Sequence, residues 1–207
     1  MGIFDSILGR TKPVQADLDA LFALPSASIT LQSAAGMACS GHAGVCFKPP
    51  TGQGFADTQA EVQSLLAMDD AADLTSTQDS FGYQWLVMDD PDIEALVTRI
   101  HLVNSSLSDA GWGPQLLCSV FGVAHLPAGT PDGESREGTT VGAGVVVPST
   151  SYLVYLFKRG TFYPFVPTGH EQRSTEEELK LRSLVSDDLA VESDLDRWFP
   201  LWDLPVH

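Results

Sequence analysis

The fold is decided by residues 81–88, which read Phe-Gly-Tyr-Gln-Trp-Leu-Val-Met. Phe81, Tyr83, Trp85 and Val87 alternate with the intervening residues at the two-residue period of a β-strand. Toward its end the stretch is apolar at every position, which is typical of a strand that is covered on both faces. The stretch therefore predicts a strand over residues 81–88 inside a packed sheet.

A helix is predicted directly after this strand. Asp90 is expected to be its N-terminal cap and Pro91 its first helical residue, and Gly111 is expected to end it. Its apolar residues fall on one stripe over four turns: Ile93, Leu96, Val97, Ile100, Val103 and Leu107. Such a stripe packs on a sheet, so a strand-then-helix unit is expected.

The same two periods place further elements along the chain. Helices are predicted over 17–24, where Pro25 is expected to stop the helix, over 57–68, and after a capping box at Ser174–Glu177. Strands are predicted over 28–32, 43–48, 116–124, 152–159 and 161–166. Pro164 restricts the last of these to a sheet edge or an irregular position.

Short turns between consecutive strands favour antiparallel pairing. The predicted fold is α+β, with two layers: a mostly antiparallel sheet and helices packed on one face. Residues 1–207 are expected to form a single domain. Glycine, proline, serine and threonine dominate about 126–150, which we expect to be an inserted, mobile loop.

Composition excludes some function classes. The 207 residues carry 11 Lys and Arg against 27 Asp and Glu, a formal net charge of −16. Such a surface repels nucleic acid and anionic lipid. No apolar run approaches a membrane span, and residues 1–10 lack the features of a secretory signal. We therefore expect a cytoplasmic protein.

Residues 1–10 contain an apolar stripe at helical spacing, formed by Ile3, Phe4, Ile7 and Leu8. A short helix docked on the body is the simpler interpretation. The alternative is an amphipathic contact with a partner or with the inner face of the cell membrane.

No catalytic or metal-binding motif emerges. Cys39, His42 and Cys46 lack the second pair of ligands that a structural zinc site needs, and Cys118 lies in an apolar strand that favours a core thiol. Residues 141–147 resemble a dinucleotide-binding loop but lack its third glycine. We predict no enzyme, no metal and no cofactor. The alternative is an enzyme or small-ligand binder with a pocket between sheet and helices.

One stretch combines adjacent basic residues with aromatic ones in this acidic chain. The predicted contact surface for an acidic or amphipathic partner helix is Lys158, Arg159, Phe162, Tyr163 and Phe165, and the second candidate is Trp198, Phe199 and Trp202. Arg159 would pair with a carboxylate of the partner, so Arg159→Glu is expected to abolish binding without unfolding. The alternative interpretation is a strand end with solvated cations and its rings in the core.

Two long stretches carry a family resemblance: Lys-Arg-Gly-Thr-Phe-Tyr-Pro-Phe at 158–165 and Arg-Trp-Phe-Pro-Leu-Trp at 197–202. Together with Gly113–Phe121 and Leu18–Pro25, they make the chain resemble the PspA-associated protein PspAB family of actinobacteria. The segment from about 124 to 151 departs from the family pattern. The element order is also similar, more loosely, to secretion-chaperone-like and YbjN-like domains.

The resemblance implies a cytoplasmic protein encoded alongside PspA, the coiled-coil membrane-remodelling protein of the phage-shock response. It implies no established enzyme activity and no catalytic residues. We therefore expect a non-enzymatic adaptor or regulator of the envelope-stress response, with a PspA-like coiled-coil protein as partner.

Overall fold

A computed structural model describes residues 16–48, 73–126 and 151–206, together with the single positions 57, 60 and 64. Its strands are β1 (Met37–Phe47), β2 (Asp73–Gln78), β3 (Gln84–Asp89), β4 (Leu116–His125), β5 (Ser151–Leu156), β6 (Thr161–Phe165), β7 (Pro167–Gly169) and β8 (Gln172–Arg173). Its α-helices are α1 (Leu24–Ala35), α2 (Ile93–Leu107) and α3 (Thr175–Val185). Shorter helical turns cover Leu18–Ala23, Ser108–Trp112, Gly113–Gln115 and Leu195–Arg197.

Six strands form one antiparallel sheet in the order β2-β3-β1-β4-β5-β6. Strands β7 and β8 form a separate small pair. Strand β6 lies at the sheet edge, where Pro164 faces Leu153 of β5. The predicted α+β class, its antiparallel sheet and the edge position of Pro164 are confirmed.

The helices pack on one face of the sheet, as predicted. The core between the layers joins apolar residues of all three helices with the residues of the sheet that face them. It includes Leu24, Leu31, Leu96, Ile100, Val103, Leu181, Val45, Phe121 and Tyr155, all almost completely buried. The layer is thus assembled by apolar burial rather than by polar contacts.

The predicted strand over 28–32 is wrong, because these residues belong to α1. Pro25 lies in the first turn of α1, where its missing N–H costs no hydrogen bond, so it does not stop a helix. Leu24 and Leu31 are buried while Ile29 is 68% exposed, which is a helical pattern. Five residues are too short a window to separate the two periods.

The predicted start of the second helix is also wrong, by two residues. Asp92 is the N-terminal cap of α2, and its carboxylate accepts hydrogen bonds from the backbone N–H of Glu94 (2.9 Å) and Ala95 (3.5 Å). Asp90 is instead buried, where it pairs with Arg99 of α2. The predicted apolar stripe of this helix is confirmed. The α-helix runs to Leu107 and passes directly into the helical turn Ser108–Trp112, in which Gly111 leaves the helical conformation with a φ of 90°, in line with its predicted role at the end of the helix.

The predicted strand over 81–88 begins later than expected. Phe81 and Gly82 lie in a turn, which the carboxylate of Asp79 closes by accepting from the N–H of Phe81 and Tyr83, both at 2.9 Å. Gly82 has a φ of 83°, a conformation that glycine adopts without strain. Strand β3 therefore starts at Gln84.

Some predictions fall outside the described residues: the apolar stripe within residues 1–10, most of the helix over 57–68 and nearly all of the loop at about 126–150. Of the second, positions 57, 60 and 64 are helical. Ser174 is the N-terminal cap of α3 and accepts from the N–H of Glu177, as predicted. The second half of the predicted capping box is not formed, because the N–H of Ser174 donates to the carbonyl of Val166.

The buried pair of Asp90 and Arg99 gives a prediction. Asp90→Ala leaves the guanidinium of Arg99 buried without this carboxylate, so we expect the free energy of unfolding to fall by about 3–5 kcal/mol. Urea denaturation followed by circular dichroism measures this change. Asp109→Ala, at an exposed position beyond α2, is the control and should change stability by less than about 0.5 kcal/mol. Equal effects of the two variants would contradict the assignment.

Candidate functional site

The face of the sheet opposite α1, α2 and α3, called the helix-free face below, is also apolar. Its buried residues come from five strands: Cys46, Trp85, Val87, Cys118, Val120, Tyr152, Val154, Tyr163 and Phe165. Residues 191–206, called the C-terminal segment below, lie across this face and bury Trp198 and Val206 against it. The sheet therefore has two apolar cores, one under helices and one under an irregular segment.

The C-terminal segment begins as an extension of the sheet. Val191 forms a parallel bridge with Phe162 of the edge strand β6. The N–H of Phe162 donates to the carbonyl of Ala190 (2.8 Å), and the N–H of Glu192 donates back to the carbonyl of Phe162 (2.7 Å). This pairing satisfies backbone groups of an edge strand and fixes where the segment turns onto the helix-free face.

Glu192 anchors the start of the segment. Its side chain is 1% exposed and accepts hydrogen bonds from Arg159 Nε (2.5 Å), Thr161 Oγ1 (3.1 Å) and the N–H of Asp194 (3.1 Å). Burial alone would raise the pKa of this carboxyl, but the hydrogen bonds from Asp194, Arg159 and Thr161 outweigh it and hold the pKa below its ordinary value. The anchor is therefore an ionised, fully bonded carboxylate.

Three further hydrogen bonds hold the segment over the sheet. The hydroxyl of Tyr163 donates to the carbonyl of Phe199 (2.8 Å), and that of Tyr152 donates to the carbonyl of Val206 (2.9 Å). Arg173 donates to the carbonyl of Trp198 (2.6 Å). Because these donors reach backbone carbonyls, they fix the path of the segment rather than any one of its side chains.

The close approach of Val206 is possible because position 44 of β1 is glycine. A Cβ atom at Gly44 would lie 2.9 Å from Cγ2 of Val206, which is shorter than carbon atoms tolerate. The indole of Trp198 stacks near the ring of Tyr163, with centroids 6.0 Å apart. The C-terminal segment thus packs closely on the sheet at both Trp198 and Val206.

Beside these contacts a groove stays open between the C-terminal segment, the turn at 79–83 and strands β1, β3, β4, β5 and β6. Its volume is about 430 Å³. Its lining is mostly apolar: Cys46, Asp79, Phe81, Tyr83, Trp85, Leu117, Cys118, Leu156, Tyr163, Phe199, Pro200, Leu201 and Trp202. Two large side chains at its rim are exposed, Phe81 at 58% and Phe199 at 56%. We call this feature the apolar groove.

Among the described lining residues, Asp79 is the only one with a carboxylate. Its oxygens already accept from Trp85 Nε1 (2.9 Å) and from the N–H groups of Phe81 and Tyr83. No histidine is among the described residues that line the groove. The groove therefore suits the burial of an apolar group far better than acid–base chemistry.

The structure separates the residues of the predicted contact surface. Phe162 packs in the core under the helices, whereas Tyr163, Phe165 and Trp198 belong to the helix-free core. These four rings are buried, so the interpretation that places them in the core fits, and none of them offers an exposed anchor.

Four residues of that predicted set remain at the surface. Lys158, Arg159 and Phe199 are exposed, and Trp202 is half-buried. Phe199 and Trp202 line the apolar groove. Arg159 pairs with Glu192 of its own chain while staying exposed, and the expected effect of Arg159→Glu on binding stays a prediction. Contact of these four with a partner remains a prediction.

Sequence reasoning missed the groove. It is built from the turn at 79–83, strand residues around 117 and residues 199–202. These stretches are far apart in the sequence, so no helical or strand periodicity connects them. The signal that was available is the tail at Phe199–Trp202, whose apolar residues needed a surface to cover.

A second cleft of about 280 Å³ lies between α1, the start of α2 and the end of β4. Cys39, Glu94 and His125 are among its lining residues. Within the described part of the chain, no group of three or more His, Cys, Asp or Glu side chains could hold a metal ion. His42 of the rejected zinc motif is instead bonded through Nδ1 to Asp89 (2.6 Å).

The comparisons with known proteins give a family. The family model for PspA associated protein B matches residues 1–206. The chain belongs to this family. The family name states an association with PspA, which confirms the resemblance seen in the sequence. No curated protein matches the chain, and no solved structure does. The looser likeness to secretion chaperones therefore stays a prediction. In the part described, no helix has the length and apolar content to cross a bilayer.

The Glu192 anchor gives a prediction on stability. Arg159→Glu replaces a donor by a second carboxylate beside a buried one, so we expect a loss of about 1–3 kcal/mol in the free energy of unfolding. Thermal or urea denaturation measures it. Lys158→Glu, the same change at the exposed neighbouring residue, should leave stability within about 0.5 kcal/mol. If both variants are as stable as the parent chain, the burial of the Glu192 carboxylate does not depend on its ion pair with Arg159.

Proposed function

We propose that this chain is a non-enzymatic adaptor or regulator of the PspA system that acts by protein–protein contact. The observation that carries the proposal is the apolar groove with exposed Phe81 and Phe199 at its rim. Aromatic side chains around an apolar depression are typical of the few residues that supply most of the binding energy of an interface. Family membership supplies the PspA setting.

The occupant we propose is an amphipathic helix of the PspA-like partner. A groove of about 430 Å³ has room for a few apolar side chains of a helix, not for the helix itself. Such side chains recur at three- and four-residue spacing on one helix face. The net charge of −16 favours a partner whose groove-facing helix is flanked by basic residues.

A binding role agrees with the chemistry of the groove lining. The carboxylate of Asp79 is engaged in its own turn, and the thiols of Cys46 and Cys118 have no histidine beside them in the lining. A nucleophile with its base is thus not assembled there. We place this activity in the cytoplasm, with membrane contact either indirect or through residues 1–10.

Size-exclusion chromatography with light scattering tests the adaptor role. The purified chain is run alone and mixed with the PspA-like protein of its own host, and a joint complex is expected. Separate peaks at tens of micromolar would contradict direct, tight binding.

Substitutions at the rim locate the contact. Phe81→Ser and Phe199→Ser each remove an exposed ring without emptying the core, so each should weaken the complex by about tenfold or more. Ile29→Ser, an exposed apolar residue of α1, is the matched control and should bind as the parent does. A loss of binding in the Ile29 variant alone would place the contact on the helices.

A small apolar ligand is the second candidate for the groove. The cavity volume lies within the range of ordinary ligand sites, roughly 300–1,000 Å³. This site would be on the helix-free face, not between sheet and helices as expected from the sequence. Native mass spectrometry of the purified chain would detect a retained ligand. A ligand that blocks complex formation, and that Phe199→Ser releases, would favour this candidate over the adaptor.

A further inference from the structure

Two cysteines face each other in the floor of the apolar groove. Cys46 of β1 and Cys118 of β4 are directly opposed in the antiparallel register. Both belong to the helix-free core and both line the groove. Both are free, and their side chains lie close enough to interact with each other. The structure thus places two thiols side by side at the base of the apolar groove, where each has a second sulfur with which it could form a bond.

The backbone spacing of this pair suits a disulfide. Directly opposed residues of an antiparallel sheet have Cα atoms about 4.5–5.5 Å apart, inside the span of about 4.4–6.8 Å that disulfides adopt. Their Cβ atoms, at about 4.5–5.5 Å, must approach slightly to reach the usual 3.5–4.5 Å. A register shift between Cys46 and Phe47 makes the pairing irregular beside the thiols, where strands adjust more readily.

The surroundings keep the reduced form stable. The hydrogen bond to Cys118 and the burial of the site raise the pKa of the Cys46 thiol far above its ordinary value. Since the thiolate is the attacking species, reaction with dilute oxidant is slow. The thiols are only 3% and 5% exposed, so an oxidant has to be small enough to enter the groove.

We propose that Cys46 and Cys118 are a reversible oxidation site, which forms an intramolecular disulfide with a peroxide as the oxidant. One thiolate attacks a peroxide oxygen, forming a sulfenic acid as the O–O bond breaks; with hydrogen peroxide the leaving hydroxide takes up the thiol proton as water. The second thiol displaces the sulfenic hydroxyl, which leaves as water, and the S–S bond forms. Two thiols and one hydrogen peroxide give one disulfide and two waters, with two electrons passing from sulfur to oxygen.

The slight compression of the Cβ atoms has a consequence for reversal. Strained cross-strand bridges are more easily reduced than relaxed structural ones. A thiol buffer such as glutathione therefore restores the dithiol. Oxidation also alters the floor of the groove beneath the proposed partner helix. This effect on binding rests on the proposed function.

Peptide mapping tests the oxidation site. The full-length chain is treated with excess hydrogen peroxide, alkylated, digested without reductant and analysed by mass spectrometry. The expected product is a linked pair of peptides containing Cys46 and Cys118, lost after glutathione treatment. Cys39→Ala, which removes the third cysteine, should leave the link unchanged, whereas Cys46→Ala and Cys118→Ala should abolish it.

Several outcomes would overturn the proposal: a link through Cys39, an intermolecular link, sulfinic acid without a link, or no modification. Should Cys46→Ala or Cys118→Ala fail to fold, the mapping of the parent chain and of Cys39→Ala decides alone. Binding of the PspA-like protein is measured separately on the reduced and oxidised chains. Unchanged binding with a formed disulfide would count against the groove as the docking site and leave the oxidation site standing.

Discussion

A sheet with apolar side chains on both faces has to cover both of them, and this constraint governs the rest of the structure. The helices α1, α2 and α3 cover one face. The C-terminal segment covers the other, held at its start by the buried carboxylate of Glu192. Apolar burial drives the contact, and the polar groups around Glu192 fix where the segment crosses the sheet.

The groove follows from the difference in width between the two layers. Neighbouring strands lie about 4.8 Å apart, so a six-stranded sheet is several times wider than one irregular chain segment. The hydroxyl groups of Tyr152 and Tyr163 hold that segment by donating to two of its carbonyls. Beside residues 199–202 the helix-free face is left uncovered, and this uncovered part is the apolar groove. The floor of the groove belongs to central strands, while one wall belongs to the segment.

This division suits a docking site. A floor made of β1, β3 and β4 is held by neighbours on both sides, so it presents a fixed surface. The wall at Phe199–Trp202 lies outside the strands, and its path is fixed by packing of Leu201 and Trp202 on the sheet and by hydrogen bonds to the carbonyls of Trp198 and Phe199. For the proposed partner, a side chain would enter by displacing exposed rings rather than by opening a core.

Much of the fold could be predicted from the sequence, for physical reasons. The stripe of α2 runs over four turns, so its helical period is unambiguous. β5 and β6 are short apolar runs that are buried almost throughout, which is typical of strands covered on both faces. The prediction of a strand over 28–32 was wrong because five residues are too few to separate a helical period from a strand period. Asp90 failed as a cap because a tertiary contact, its pairing with Arg99, outweighs local capping preference.

The candidate site was less predictable. Phe199 and Trp202 were recognised as aromatic residues that need a surface, yet their neighbours Phe81 and Leu117 depend on how distant strands are ordered. Of the two interpretations of the aromatic stretch at 161–165, the structure fits the one that places its rings in the core, since Phe162 and Tyr163 lie in two opposite cores. The sequence indicates which side chains are apolar enough to form a contact, and only the order of the strands indicates which of them remain exposed.

Hydrogen exchange of the chain with and without the PspA-like protein of its host tests the central claim, that the partner occupies the groove. The account predicts added protection of backbone amides in the turn at 79–83 and in 199–202, with those of α1 unchanged. A complex that protects α1 and leaves both groove segments unaffected would contradict it.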